Sequence, residues 1–428
     1  MSIRNFIKEN YKKKFVRNFF TLFSGSLIGQ LILFAFIPVL SRLYSEELFG
    51  ILFIFTSLTS ILKIIASLRF ELSIVLPEKD EHAVNLLVIA VIINILINLM
   101  FFFLIFFFYD VFSTVSGENT IGKLIYFVPL SSFFLGFFEI MSYWNNRKEA
   151  YKKISYGKIS KSAVIVGSQT GLKYYSYSGN GLIAGVLTGQ AFSAFLLFFI
   201  SFKSISKNLK YVSIKKIFAL VRKYKDVPLF NTLLSGLNTL SNQIPFLLLG
   251  KYFGLEIVAF YGMAGKVIMT PTGMVAQSIG QVFYKTATDI KNSGGNLYNF
   301  VKKTYLNLAK LIIIPLIIIF ISTFFFGFLF GKNWEKAGIY AAVMLPWISI
   351  AFLNRPVAWI ITILNKQRVV TVFDFSLLIL RFLSIYVSYK LLFSGLFAVT
   401  MYSAVGFLFG IFMMFWLLKI AKNSNKAY

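Results

Sequence analysis

The sequence predicts an all-α integral membrane protein of about twelve transmembrane helices in two matching halves. Three observations carry that reading. The chain of 428 residues is 57% hydrophobic and only 14% charged, with a mean hydropathy of +0.75, whereas a soluble domain carries about 25% charged residues. Apolar runs of about 20 residues, the length a helix needs to cross a hydrocarbon core about 30 Å thick, recur along its whole length. The second half also faintly repeats the first. Tyr44-Ser45-Glu46-Glu47-Leu48-Phe49-Gly50 joins two apolar runs, and roughly 210 residues later Phe253-Gly254-Leu255-Glu256-Ile257-Val258-Ala259 joins two more, so that Glu47 coincides with Glu256. Ser24-Gly25 and Ser235-Gly236 fall near the same offset, just upstream. A repeat at about half the chain length is what two-lobed secondary transporters show, although low-complexity apolar hairpins also align by chance.

Read in order, the spans of the first half fall near residues 19–41, 48–67, 83–108, 121–143, 156–172 and 180–202. Those of the second fall near 229–250, 256–284, 303–329, 337–363, 369–390 and 394–419. Two of them are irregular: the run from Tyr156 to Leu172 is short and contains Lys158, Lys161 and Gln169, and the run from Glu256 to Tyr284 is long and contains Pro271. Further prolines, Pro38, Pro129, Pro245, Pro315, Pro346 and Pro356, fall inside spans. Each removes a backbone hydrogen bond, producing a packing kink or a hinge. Gly181-x-x-x-Gly185-x-x-x-Gly189 and Gly406-x-x-x-Gly410 suit close helix approach. The halves become an N-terminal bundle over 1–202, a linker over 203–228 and a C-terminal bundle over 229–428.

Charge sets the orientation. The net charge of +27 is spread in short runs between apolar segments, which suits anionic headgroups and topology rather than nucleic acid. Arg4, Lys8, Lys12, Lys13, Lys14 and Arg17 precede the first span. Arg147, Lys148, Lys152 and Lys153 fill the fourth loop, and the sixth carries eight cations from Lys203 to Lys225. Lys285, Lys291, Lys302 and Lys303 fill the eighth loop, and Lys419, Lys422 and Lys426 follow the last span. All lie on one side, so both termini are expected in the cytoplasm. The basic N-terminus lacks a small-residue cleavage site and reads as a retained tail. The acidic second loop, Glu78-Lys79-Asp80-Glu81, breaks the pattern, but acidic residues count little. No outward loop is long enough for a folded domain. The linker's spacing, Ile205, Leu209, Val212, Ile214, Ile217, Phe218, Leu220 and Val221 among lysines, suits either an amphipathic helix on the inner leaflet or a basic tether.

Several chemistries are excluded. The sequence has no cysteine and one histidine, His82, in a charged loop. It therefore offers no disulfide, no thiolate nucleophile, no His-based metal cluster and no serine-histidine-acid set. No phosphate-binding G-x-x-x-x-G-K-[ST] loop occurs. No catalytic residue, metal or cofactor is expected. Ionisable groups inside spans are costly and mark function by default, unless they sit near a helix end and snorkel. Lys63, Lys310 and Glu139 lie within about two turns of their cytoplasmic ends and either snorkel or line a cavity. Lys266, Arg355 and Arg381 lie deeper and are expected to line a water-filled cavity, a buried structural ion pair being the alternative. Asp374 lies seven residues before Arg381 on one helix, so the two share a face. It is a candidate to meet Arg355 or to take H+ or Na+, and Glu139 is a second candidate for ion coupling. A cavity rich in cations suits an anion such as a diphosphate or acidic sugar, through Arg forks and Lys point charges.

Several stretches resemble a known family. Ser41-Arg42-Leu43-Tyr44-Ser45-Glu46-Glu47-Leu48-Phe49-Gly50 resembles the first outer loop of bacterial polysaccharide exporters, and Leu68-Arg69-Phe70-Glu71-Leu72-Ser73-Ile74-Val75-Leu76-Pro77 their first inner loop. Tyr143-Trp144-Asn145-Asn146-Arg147-Lys148 is similar to the end of their fourth helix, and Leu237-Asn238-Thr239-Leu240-Ser241-Asn242-Gln243-Ile244-Pro245 to the start of their second half. The family is the O-antigen and capsular polysaccharide flippases of the multidrug/oligosaccharidyl-lipid/polysaccharide exporter superfamily. The resemblance implies two six-helix bundles related by pseudo-two-fold symmetry, alternating access across the bacterial cytoplasmic membrane, and an oligosaccharide on an undecaprenyl diphosphate carrier. It further implies surrounding membrane lipids, coupling to H+, Na+ or the membrane potential, and association with other polysaccharide-assembly proteins. Peptidoglycan-precursor flippases are relatives that usually have two more helices. The competing readings are a drug or metabolite antiporter of the same fold, which favours acidic groups in the cavity, and a membrane polysaccharide polymerase, which needs a large outer loop.

Overall fold

The computed structural model describes residues 21–116, 121–174 and 181–424. The six cations before the first span and Lys426 lie outside the described residues. Among those described, every regular element is helical and there is no strand. That is the outcome expected where lipid offers backbone groups no partner, because a helix satisfies its own N–H and C=O groups.

In the first half the long helices are α1 (Thr21–Leu43), α2 (Glu46–Ala66), α3 (Asp80–Phe107), α4 (Val128–Arg147), α5 (Tyr151–Tyr174) and α6 (Gly181–Leu209). A short helix, α7 (Ile214–Tyr224), links the halves. The second half has α8 (Asp226–Phe253), α9 (Leu255–Asn292), α10 (Leu297–Phe324), α11 (Glu335–Val357), α12 (Gln367–Lys390) and α13 (Gly395–Ser424). Each expected span therefore finds a long helix. Among the described residues eight are long and apolar enough to cross a membrane, all but α5, α8, α9 and α10.

The irregular runs resolve without a break. α5 is 24 residues long despite its lysines. α9 runs 38 residues straight through Pro271, about 57 Å at 1.5 Å per residue, so it outreaches the hydrocarbon. The prolines behave differently from one another. Pro129 sits in the first turn of α4, where a missing N–H costs nothing. Pro245 and Pro271 lie inside continuous helices. Pro356 lies just before the end of α11, and Trp359–Ile363 continues as a separate short helix.

The chain divides into two compact units, one made of residues up to Leu43 with Phe55–Thr239, the other of Tyr44–Ile54 with Leu240 onward. In the first, α6 packs on α5 and α4, and α4 packs on α3. Trp144, Ile140 and Met141 of α4 form its core with Leu86 and Leu87 of α3 and Leu197 of α6. A Cβ on Gly185 or Gly189 would collide with Gln169 or Ile165 of α5, so the glycine stripe permits the close α5–α6 crossing. In the second unit α13 packs on α12 and α11, and α11 packs on α10 and α9. Phe283, Tyr305, Phe352 and Leu417 form its core, while Gly406 and Gly410 admit Trp347 and Ile350 of α11. The neighbour pattern of α3 to α6 thus recurs in α10 to α13. Glu47 and Glu256 both fall in the first turn of the second long helix of their half, as the repeat requires. The matched glycines differ: Gly25 is needed because Ser155 presses on it, whereas Gly236 faces open space.

The linker is an amphipathic helix rather than a tether. Leu220 of α7 is buried in the first unit's core, with Val221 and Tyr224 beside it. Ile214 and Phe218, one turn apart, point outward at 73% and 72% exposure. The Asn85 side chain pins the entry to α7, donating to the Tyr211 carbonyl at 3.1 Å and accepting from the Ser213 N–H at 3.0 Å.

Candidate functional site: a basic cavity in the first unit

The chain leaves α2 through two consecutive residues in the left-handed region, Leu68 (φ 45°) and Arg69 (φ 56°). That conformation costs an L-residue about 1–2 kcal/mol, and such strain collects at functional sites. Here the reversal directs the Arg69 guanidinium to Glu71, 3.2 Å away and fully buried. Burial pushes the Glu71 carboxyl up from its ordinary range, and Glu139 adds to the rise against the opposing pull of local hydrogen bonds and Arg69.

Beside this pair lies a cavity of about 480 Å³, lined by α1, α2, α4 and α5, within the range of small-molecule sites. Lys63 of α2 donates to Glu139 of α4 at 2.5 Å. The other Glu139 oxygen is 3.8 Å from Arg69 and, although buried, has no hydrogen-bond partner. Lys158 and Lys161, three residues apart on α5, face the same space. The Lys158 ammonium donates to Ser26 of α1 at 2.9 Å. Lys161 makes no hydrogen bond or ion pair with any described residue. Ser142, Tyr143 and Asn146 add polar groups on α4. Among the described residues three ammonium groups therefore meet one carboxylate at this cavity, leaving positive charge in excess.

Of the expected site residues the structure joins Lys63 and Glu139, pairing them directly. Sequence reasoning missed Lys158 and Lys161 as site residues. Their signal was present, since they are the charges that made the fifth span look poor. α5 tolerates them because they open onto a cavity instead of lipid.

The remaining candidates lie in the second unit, and the cavity that Arg355 lines there includes none of the others among its described residues. Arg381 of α12 is 5% exposed. It donates to Ser241 of α8 at 3.0 Å, and its guanidinium carbon lies 4.9 Å from the Trp347 ring and 4.8 Å from the Tyr402 ring. No carboxylate pairs with it within 4 Å among the described residues, so aromatic faces take the place of a counter-ion. Asp374 is half-buried on the same helix and makes no ion pair with Arg355 or Arg381 within that distance. Arg355 faces a separate cavity of about 470 Å³ with Gly273, Gln277 and Trp359. Its Nη1 would lie 2.7 Å from a Cβ on Gly273. Lys266 is half-buried on α9 and has no hydrogen bond or ion pair to a described residue. Lys310, expected to snorkel or to line a cavity, is exposed on α10.

Residues 39–339 match the model of the family described as polysaccharide biosynthesis protein. This chain belongs to that family. No curated protein matches its sequence. Among solved structures it is similar to the lipid II flippase MurJ in an inward closed conformation, at a TM-score of 0.72 and 14% identity over 96% of this chain and 90% of that one. It is also similar to a multidrug resistance MATE family transporter of the MOP superfamily in an inward-facing conformation, at 0.60 and 13% over 94% and 96%. A MOP superfamily transporter from Pyrococcus furiosus, whose binding pocket is described as reversed in polarity, matches at 0.56 and 12% over 96% of each chain. At these identities the likeness shows the fold, that of a multi-pass membrane protein with twelve long helices in two six-helix halves.

Proposed function

We propose that this polysaccharide biosynthesis family member is a flippase. It carries an oligosaccharide on an undecaprenyl diphosphate carrier, an O-antigen or capsule repeat unit, across the bacterial cytoplasmic membrane by alternating access. The observation that carries the reading is the basic cavity of Lys63, Lys158 and Lys161 opposite the lone carboxylate of Glu139. A diphosphate joining a lipid to a sugar has two negative charges and several acceptor oxygens. Lysines that are short of partners supply rotatable donors and point charges for it. Burial of such cations is costly without an anion, so a site that lacks enough carboxylates is built to receive one. The same charge balance disfavours a cationic drug.

On this reading the bundles over 1–202 and 229–428 are the two lobes, both termini are cytoplasmic, and Arg355 offers a further cation in the second lobe. Asp374, half-buried on α12, is a candidate carboxylate for H+ or Na+ coupling, and the membrane potential is the alternative drive. The test uses the full chain in liposomes with a fluorescent polyprenyl diphosphate saccharide and an impermeant quencher. Replacing Lys158 and Lys161 together by Gln is expected to slow flipping at least tenfold while insertion is unchanged. Flipping at the normal rate in the double variant would remove the basis of the proposal.

A further inference from the structure

We propose that Glu139 is a built-in competitor for the substrate's diphosphate, holding Lys63 in the empty cavity and driving the anion off again after translocation. The inference rests on the flippase reading and assigns this carboxylate a role of its own. Lys63 reaches Glu139 at 2.5 Å, with side-chain exposures of 22% and 31%, so the pair faces the cavity rather than the packed core. The pairing is one-sided. The second carboxylate oxygen lies buried without a hydrogen bond, because the nearest guanidinium, Arg69, is already engaged by Glu71. Lys158 is held by a neutral hydroxyl, and Lys161 has no partner among the described residues.

One carboxylate thus satisfies one of three ammonium groups, and the cavity has two ways to be neutralised. In the empty state Glu139 serves Lys63. In the loaded state phosphate oxygens serve Lys158 and Lys161, and they compete for Lys63, whose four-carbon stem lets one ammonium swing between acceptors. Lys63 comes from α2 and Glu139 from α4, so neither is confined by the other's backbone. When phosphate wins, Glu139 is left beside an anion, with its Lys63 partner taken and the Arg69 guanidinium 3.8 Å away. Like charges at that range, away from bulk water, repel strongly. The repulsion weakens the loaded state and so speeds release. Binding is thereby traded for turnover, since a carrier that holds its cargo too tightly stalls. The chemistry is exchange of one anion for another at an ammonium, and needs no proton transfer.

The test uses the full-length protein in phosphatidylcholine nanodiscs, with farnesyl diphosphate as probe and inorganic pyrophosphate as competitor, and flipping measured in liposomes. Glu139→Gln is expected to bind the probe at least tenfold more tightly and to flip saturating substrate several-fold more slowly. Glu139→Asp, which keeps the charge, should stay near the wild type. Lys63→Gln strips the carboxylate of its partner, so it should weaken binding more than Lys161→Gln does. Equal or weaker binding in Glu139→Gln, with Lys161→Gln still weakened, overturns the competitor role and leaves the anion cradle standing. Binding unaltered by Glu139→Gln, Lys63→Gln and Lys161→Gln alike overturns both. Should Glu139→Gln fail to fold, the comparison of Lys63→Gln with Lys161→Gln decides, and equal losses there also count against the competitor.

Discussion

Arg381 and Lys161 are both cations within membrane helices, yet the chain treats them in opposite ways. Arg381 is closed in by Trp347, Tyr402 and Ser241, whereas Lys161 opens on a cavity. Arg381→Ala therefore removes packing as well as charge. We expect a loss of about 3 kcal/mol, in the range of large-to-small core changes, seen as a lower melting temperature in detergent. Arg355→Ala, on the wall of its own cavity, should melt within a degree or two of the wild type and still weaken export. Normal surface polymer in this variant at normal expression would remove Arg355 from the transport path. Glu71 supplies a pH test. Its carboxyl is held above its ordinary value chiefly by burial. The folded state therefore retains a proton that the unfolded chain releases, and stability attributable to this group falls as pH rises from the unfolded value through the raised one. The difference in stability between wild type and Glu71→Gln should shift in favour of the variant as pH rises above the ordinary value of 4.5, and a flat difference contradicts the assignment. Depth in a span was legible for Arg381 and Arg355. Whether each met an aromatic face, a carboxylate or empty space was not, because those partners come from helices up to 140 positions away.

At the scale of elements, the glycines separate packing from flexibility. In the second unit a Cβ on Gly50 would fall on the Leu255 carbonyl oxygen, which is backbone and cannot move aside. At Gly273 the obstacle is the end of the Arg355 side chain. Gly50→Ala should cost about 2 kcal/mol or more, as overpacking does, and Gly273→Ala distinctly less. Equal melting temperatures would refute that ordering. α7 offers a second test, made simple by the absence of cysteine from the sequence. We expect a nitroxide on Phe218→Cys to show oxygen accessibility typical of the acyl-chain boundary in anionic bilayers, since Ile214 and Phe218 point away from the core among lysines. Accessibility typical of water would leave α7 off the membrane. Helix existence was readable from apolar run length. The fate of prolines was not: Pro271 lies in an unbroken helix and Pro129 starts one, because position within the turn decides what a missing N–H costs.

For the whole molecule, the repeat and the charge bias make a topological prediction. Leu392, 91% exposed after α12, and Ser293, exposed after α9, are expected on opposite faces of the membrane. In intact cells an impermeant maleimide should label Leu392→Cys at once, and Ser293→Cys only after permeabilisation. The reverse pattern would invert the orientation. The recurrence of the α3 to α6 neighbour pattern in α10 to α13 gives the faint sequence repeat a structural counterpart, since each half solves the same problem of burying helix faces.

Hydropathy and charge order alone determined that this is a membrane protein of twelve long helices in two halves, because the bilayer sets helix length and lipid leaves the backbone no other partner. Which intramembrane charges share a space was decided only by tertiary structure. Depth along a helix is a one-dimensional quantity, whereas convergence on a cavity depends on which face each helix turns to its neighbours. Lys158 and Lys161 looked like flaws in a weak span until α5 was placed beside Lys63 and Glu139.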